Sequence, residues 1–175
     1  GKRCIAAGHG NQHVVVDSTA DLARAAQGIV DGGSLDNCIV CTAEKEVVAE
    51  SSIADALKKA MVERGAYEVK GPHIERLRKL VVAEDGLHPN KEWVGKDAAK
   101  ILEAIGVRAP ANTQVLFVEG NEQSPFVQGE LLMPVLGFVR APSMEAAVDM
   151  AKRVDHGFGH AAAADDVHVR SATGP

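Results

Sequence analysis

The stretch "DNCIVCTAEKEVV", residues 36–48, decides how the chain folds. Its end, Glu46 to Ala49, is a short β-branched run that reads as a buried strand. Its beginning holds two of the three cysteines, Cys38 and Cys41, in a polar turn. On the far side, Ser51 or Ser52 is placed to cap a helix with Ile53, Ala56, Leu57, Ala60 and Met61 inward and Gly65 as its stop. A cysteine-bearing loop therefore leads into a strand, and the strand leads into a helix.

The same alternation extends in both directions. Upstream, Cys4 to Ala7 is a strand candidate, Gly8-His9-Gly10 a turn, and His13 to Val16 a second strand. A helix follows, capped by Ser18 or Thr19, with Leu22, Ala25, Ala26, Ile29 and Val30 on one face, and Gly32-Gly33 ends it. Downstream, Pro72 suits the first turn of a helix reaching about Val82, and Lys96 to Ile105 forms another, closed by Gly106. Thr113 to Val118 and Pro134 to Val139 are strands, separated by a polar, linker-like stretch from Glu119 to Gly129. Ser143 opens a helix with Ala147, Met150, Ala151 and Val154 inward, and Ala161 to Ala164 reads as a last strand. Repeated strand–helix–strand units predict an α/β fold: a mainly parallel open sheet with helices on both faces.

The 175 residues suffice for one domain with a sizeable core. Residues 1–170 are assigned to that domain, and Ser171 to Pro175 are expected to be disordered. Net charge is -5 with no basic stripe, and aromatics are 3%, which argues against a nucleic-acid partner. Apolar runs such as Leu131 to Val139 fall far short of the roughly 20 residues of a membrane span, so no membrane partner is expected. Gly1-Lys2-Arg3-Cys4 lacks a signal-peptide core and an initiator methionine, so the chain reads as a processed product or a piece of a longer one. An odd, sparse cysteine count points to a reducing cytoplasm rather than a disulfide scaffold.

Three chemistries compete for the cysteine turn. Zinc needs four ligands, and Cys38-x-x-Cys41 with His156-x-x-x-His160 would supply two pairs more than a hundred residues apart, the second within a glycine-rich stretch. A dithiol redox motif usually sits at a helix N-terminus, whereas a strand follows here. The third reading is a single nucleophile, Cys41, whose thiol attacks carbonyl carbon while neighbouring backbone N–H groups hold the oxyanion. Against it stands a buried, inert cysteine, the reading given to Cys4 and Cys38. Spacing alone leaves these open.

The segment containing Asp36, Asn37, Cys41, Ala43, Glu44 and Lys45 resembles the active-cysteine segment of aldehyde dehydrogenases. It is most similar to the CoA-acylating propionaldehyde and acetaldehyde dehydrogenase branch, which carries D-N-x-x-x-C-x-A-E-K. Cys38 stands where that branch commonly has asparagine. "GKRCIAAGHGNQHVVVDSTADLARAA" and "SPFVQGELLMPVLGFVRAPSMEAAVDMAKRVDHGFGHAAA" resemble the flanking segments in order and spacing, so the likeness spans most of the chain.

The resemblance implies that Cys41 attacks the aldehyde to give a thiohemiacetal, that NAD takes the hydride, and that coenzyme A accepts the acyl group. It implies that Glu130, ahead of Leu131-Leu132-Met133-Pro134-Val135, positions the nicotinamide ribose; without it, Glu130 reads as a solvated acid after a loop. No metal is implied. Hydrolytic members carry a water-activating glutamate in the segment matching "IAAGHGN", and aligning from Val14-Val15-Val16 puts Ala7 there, which favours a thiol acceptor over water. The prolines usual around this turn are replaced by His9, Gln12 and His13. Either histidine reads as a surface residue or as a proton acceptor near the cysteine. Members of the branch are more than twice as long, and no dinucleotide-binding G-x-G-x-x-G follows a strand here. The expectation is an incomplete catalytic domain, weakly active or inactive alone, from a cytoplasmic or microcompartment-associated bacterial enzyme that is a homo-oligomer at full length. The alternatives are a hydrolytic aldehyde dehydrogenase domain and a non-catalytic structural or oligomerisation module.

Overall fold

The structure, a computed structural model, describes residues 10–156 and the strand Ala163–Asp165. In chain order its elements are β1 (His13–Val16), α1 (Leu22–Ser34), β2 (Glu46–Glu50), α2 (Ala54–Glu63), β3 (Ala66–Glu68) and α3 (Pro72–Val81). There follow α4 (Ala98–Ala104), β4 (Val115–Gly120), α5 (Pro125–Gln128), β5 (Val135–Ala141), α6 (Met144–Val154) and β6 (Ala163–Asp165). The strands form one sheet in the order β3-β4-β5-β2-β1-β6, with every pairing parallel.

Alternation along each strand sorts the core into two layers. Val14, Val16, Val47, Ala49, Phe117 and Phe138 face Ala26 and Ile29 of α1 and Leu57 and Met61 of α2. On the other face, Leu116, Val118 and Val135 meet Leu77 of α3 and Ile101 and Leu102 of α4. Val15 and Val48 meet Ala147 and Ala151 of α6 on that side as well. Strands covered on both faces have to be apolar nearly throughout, as "VVV" and "VLFV" are.

Several boundaries differ from the sequence reading, each for a local reason. The cap of α1 is Asp21, whose side chain accepts from Ala23 N and Arg24 N. Thr19 instead donates to Asp17 from its amide and its hydroxyl, in a turn before the helix. Gly32 and Gly33 do not stop α1, which runs through Ser34; a Cβ at Gly33 would lie 3.0 Å from Leu136 Cδ1, so glycine there allows close helix–sheet packing. Neither Ser51 nor Ser52 caps α2, which starts after Ile53 without a side-chain cap. Ser51 Oγ donates to Ala141 O and Ser52 Oγ to Glu50 Oε1. The stretch 119–129 is not a plain linker: β4 continues to Gly120, and α5 buries Phe126 and Val127. The edge strand β3 is only three residues long, too short for alternation to reveal. The predicted strand at Cys4 to Ala7 and the tail 171–175 lie outside the described residues.

The carboxyl ends of the central strands carry charge. Lys58 of α2 donates to Glu119 Oε2 (2.5 Å) and Glu68 Oε1 (3.0 Å), and Arg140 Nε donates to Glu119 Oε1 (2.6 Å). These bonds tie β3, β4, β5 and α2 together at that end. At the other end, α5 lies so close on β5 that a Cβ at Gly137 would sit 2.5 Å from Phe126 O and 2.8 Å from Val127 Cγ2. Gly137→Ala should therefore destabilise the fold by about 1–3 kcal/mol through overpacking. A urea unfolding midpoint shifted downward with an unchanged slope is the expected result.

Candidate active site at the amino ends of the strands

After α1 the chain reverses direction in a left-handed turn. Asp36, Asn37 and Cys38 have φ of 47°, 51° and 60° in succession. Left-handed backbone is costly for L-residues, roughly 1–2 kcal/mol each, so neighbouring groups have to hold it. They do so from two sides. Asn37 Nδ2 donates to Gly95 O and Asp97 Oδ1, both at 3.0 Å, and Ile39 packs on Gly95, where a Cβ would come within 2.4 Å of Ile39 Cδ1. From beneath, Lys45 Nζ donates to Cys38 O (2.5 Å), Val40 O (3.1 Å) and Cys38 Sγ (3.3 Å).

The two cysteines consequently differ. Cys38 is fully buried; its thiol donates to Glu44 O (3.3 Å) and accepts from Lys45. Burial pushes that thiol up from its ordinary range, against the pull of Lys45. A protonated thiol with both hydrogen-bonding directions used suits neither a metal nor a nucleophile. Cys41 is exposed at the tip of the turn, and both thiols are free. Among the described residues, no three His, Cys, Asp or Glu side chains are grouped for a metal ion. His160 lies outside the described residues.

Glu130 precedes β5, the neighbour of β2, so it sits at the same amino end of the sheet as Cys41. It is half-buried rather than solvated, and Gly10 N donates to its Oε2 (3.2 Å). It lines a pocket of about 160 Å³ with Gly10, Asn11, Leu87, His88 and Gly129 among its walls. The segment 85–97 braces both loops. Gly95 and Asp97 hold Asn37, Gly95 N donates to Leu132 O (3.0 Å), and a Cβ at Gly129 would meet Leu87 O at 2.3 Å. Asp85 caps the tip of this segment by accepting from Leu87 N and His88 N, which holds its carboxyl down at about 2.

His13 is buried in β1, which removes the surface reading. Its Nδ1 lies 2.7 Å from Oε2 of Glu46, its register partner on β2, and its Nε2 is 4.0 Å from Asp155 Oδ1. Val15 and Val48, two residues on, pack against α6, so the pair faces that side, while Cys38 belongs to the layer of α1 and α2. His9 and Ala7 lie outside the described residues. Sequence reasoning missed the role of Lys45 and this pair. An ionisable residue immediately before a buried valine strand was the available signal.

The profile of the aldehyde dehydrogenase family matches residues 1–172. The chain belongs to the aldehyde dehydrogenase family. Within the family it is 43% identical over 166 residues to the acetylating acetaldehyde dehydrogenase EutE of Escherichia coli K12, covering 93% of this chain and 36% of that protein. It is 37% identical to a CoA-propanoylating propanal dehydrogenase of Citrobacter freundii, covering 93% of this chain and 35% of that one. Among solved structures, Rhodopseudomonas palustris propionaldehyde dehydrogenase with bound CoA and an acylated cysteine superposes with a TM-score of 0.91 at 40% identity, over 97% of this chain and 38% of that chain. An engineered glycolyl-CoA reductase with bound NADP+ gives a TM-score of 0.91 at 42% identity, over 97% and 38% of the two chains. The chain thus spans little more than a third of the length of these relatives.

Desolvation raises the Glu46 carboxyl from 4.5 to about 7, even with His13 beside it. A raised carboxyl binds its proton more tightly in the folded state, so the associated stability is complete below about 4.5 and is lost as pH rises through about 7. Unfolding free energy should fall between pH 5 and 8, and Glu46→Gln should remove roughly 1–3 kcal/mol of that fall. Chemical denaturation at a series of pH values measures the slope in both proteins.

Proposed function

We propose that this chain is the cysteine-bearing catalytic part of a CoA-acylating aldehyde dehydrogenase, converting a short-chain aldehyde, CoA and NAD to acyl-CoA and NADH. The carrying observation is the division of labour between the cysteines: Cys38 is buried and occupied, while Cys41 is presented outward from a turn braced on both sides. The relatives support this reading, since those with 36–43% identity include acetylating and CoA-propanoylating enzymes.

In this mechanism the Cys41 thiolate attacks the aldehyde carbon to give a thiohemiacetal, whose oxygen lies near the backbone N–H of Cys41. NAD, when bound, would supply the hydride acceptor, and Cys41 would hold the acyl group as a thioester. CoA supplies the thiol that takes the acyl group and frees Cys41. Glu130 fits a nicotinamide ribose: it is a carboxylate set in a pocket wall, anchored by one oxygen to Gly10 N, and carboxylate oxygens accept from ribose hydroxyls. The segment 85–97 keeps the Cys41 and Glu130 loops in a fixed relation, as positioning of reacting groups demands.

The 175-residue chain alone is expected to turn over aldehyde poorly, since it contains no dinucleotide-binding glycine motif. We infer that the full-length protein works in the bacterial cytoplasm or a microcompartment as a homo-oligomer. One neighbour, 43% identical, is a propionaldehyde dehydrogenase from the fucose utilisation microcompartment of Clostridium phytofermentans.

The test is steady-state assay of the full-length protein with propionaldehyde, NAD and CoA. NADH formation should require CoA, yield propionyl-CoA, fall at least about 10³-fold in Cys41→Ser, and persist in Cys38→Asn. Equal activity without CoA and with propionate as product would replace the acylating reading by a hydrolytic one.

A further inference from the structure

Lys45 is almost completely buried, at 4% exposure, yet among the described residues no carboxylate lies within 4 Å of its ammonium. Its three donors go to three neutral acceptors, Cys38 O, Val40 O and Cys38 Sγ. An unpaired buried cation is costly, and pinning a turn does not need one, because a neutral amide donor would also bond carbonyl oxygens. The charge therefore calls for a role beyond pinning. Its backbone is also fixed: Lys45 N donates to Gln12 O (2.9 Å), and Lys45 O accepts from Gly137 N (3.2 Å). The side chain thus reaches back from a rigid base at the amino end of β2.

One of its acceptors, the Val40 carbonyl, belongs to the peptide group whose N–H is that of Cys41. A cation on a peptide oxygen draws electron density toward it and makes the N–H at the other end a stronger donor, as hydrogen bonds in a chain reinforce one another. We propose that Lys45 is a positioning residue for the reaction at Cys41, polarising the Val40–Cys41 peptide so that Cys41 N–H stabilises the negative oxygen of the thiohemiacetal and of the collapsing thioester. The inference rests on the acylating reading of Cys41. It places a positive charge, with no carboxylate among the described residues within 4 Å of it, behind the donor where negative charge develops.

The experiment uses the full-length enzyme. Cys41 is acylated from propionyl-CoA labelled with ¹³C at the carbonyl, and the thioester stretch is read by isotope-edited infrared difference spectroscopy. In Lys45→Met the stretch should move to higher wavenumber, because the carbonyl is less polarised. Turnover (kcat) should fall about 10- to 100-fold, less than the 10²- to 10³-fold of deleting a donor outright, with KM for aldehyde changed less than threefold. Lys45→Gln retains neutral donors and should fold, yet show the same shift and loss. An unshifted stretch with wild-type kcat in either folded variant overturns the proposal. So does full recovery in Lys45→Gln, which would assign Lys45 to pinning alone. Failure of the wild-type enzyme to carry a thioester on Cys41 would instead refute the acylating reading itself.

Discussion

The cysteine turn at the amino end of this sheet depends on one side chain reaching backward. Lys45 stands at the start of β2, a central strand held by β5 and β1, and its ammonium fixes the carbonyls of Cys38 and Val40. Three consecutive left-handed residues would not persist without such a hold. The hold buries and occupies Cys38 and leaves Cys41 outward. The second brace, from Asn37 to Gly95 and Asp97, links the same turn to the segment that also touches the Glu130 loop. Cys41 and Glu130 thus lie in loops that lead into neighbouring strands and share one strut.

The placement is unusual for an open parallel sheet. Ligands in such sheets generally bind outside the carboxyl ends of the strands. Here Lys58, Glu68, Glu119 and Arg140 knit those ends together with ion pairs, while the candidate site gathers at the opposite end. Where such folds usually hold a ligand, at the carboxyl ends, the described part of this sheet carries ion pairs. Its amino end offers instead a braced thiol and a carboxylate beside a small pocket.

Much of this was legible in the sequence. The valine runs and helical faces predicted strands and helices in their correct order, because strands buried on both faces leave a plain apolar signal. The rest depends on tertiary geometry. Caps were misassigned where several polar residues cluster, as at Asp17 to Asp21, since the choice among them depends on tertiary geometry. Gly32 and Gly33 look like a helix stop because a close approach and a stop both favour glycine; Gly33 lies against Leu136 of the sheet and Gly32 against the Glu44 side chain. Spacing alone leaves Cys38 and Cys41 undivided, and the resemblance singles out Cys41; the physical cause, the reach of Lys45 seven residues after Cys38, is visible only in the structure. Neither the surface reading nor the proton-acceptor reading of His13 anticipates its pairing with Glu46, which is distant in sequence and adjacent only through strand register.

The central claim is that Cys41, and not Cys38, carries the acyl group. Incubating the full-length protein with propionyl-CoA, weighing it intact and mapping its peptides tests this most directly, because it runs the acyl-transfer step backward without any hydride transfer. The account predicts one propionyl group per chain, on Cys41, labile to hydroxylamine as a thioester is. Propionyl groups spread equally over the cysteines, or found on Cys38, would contradict it.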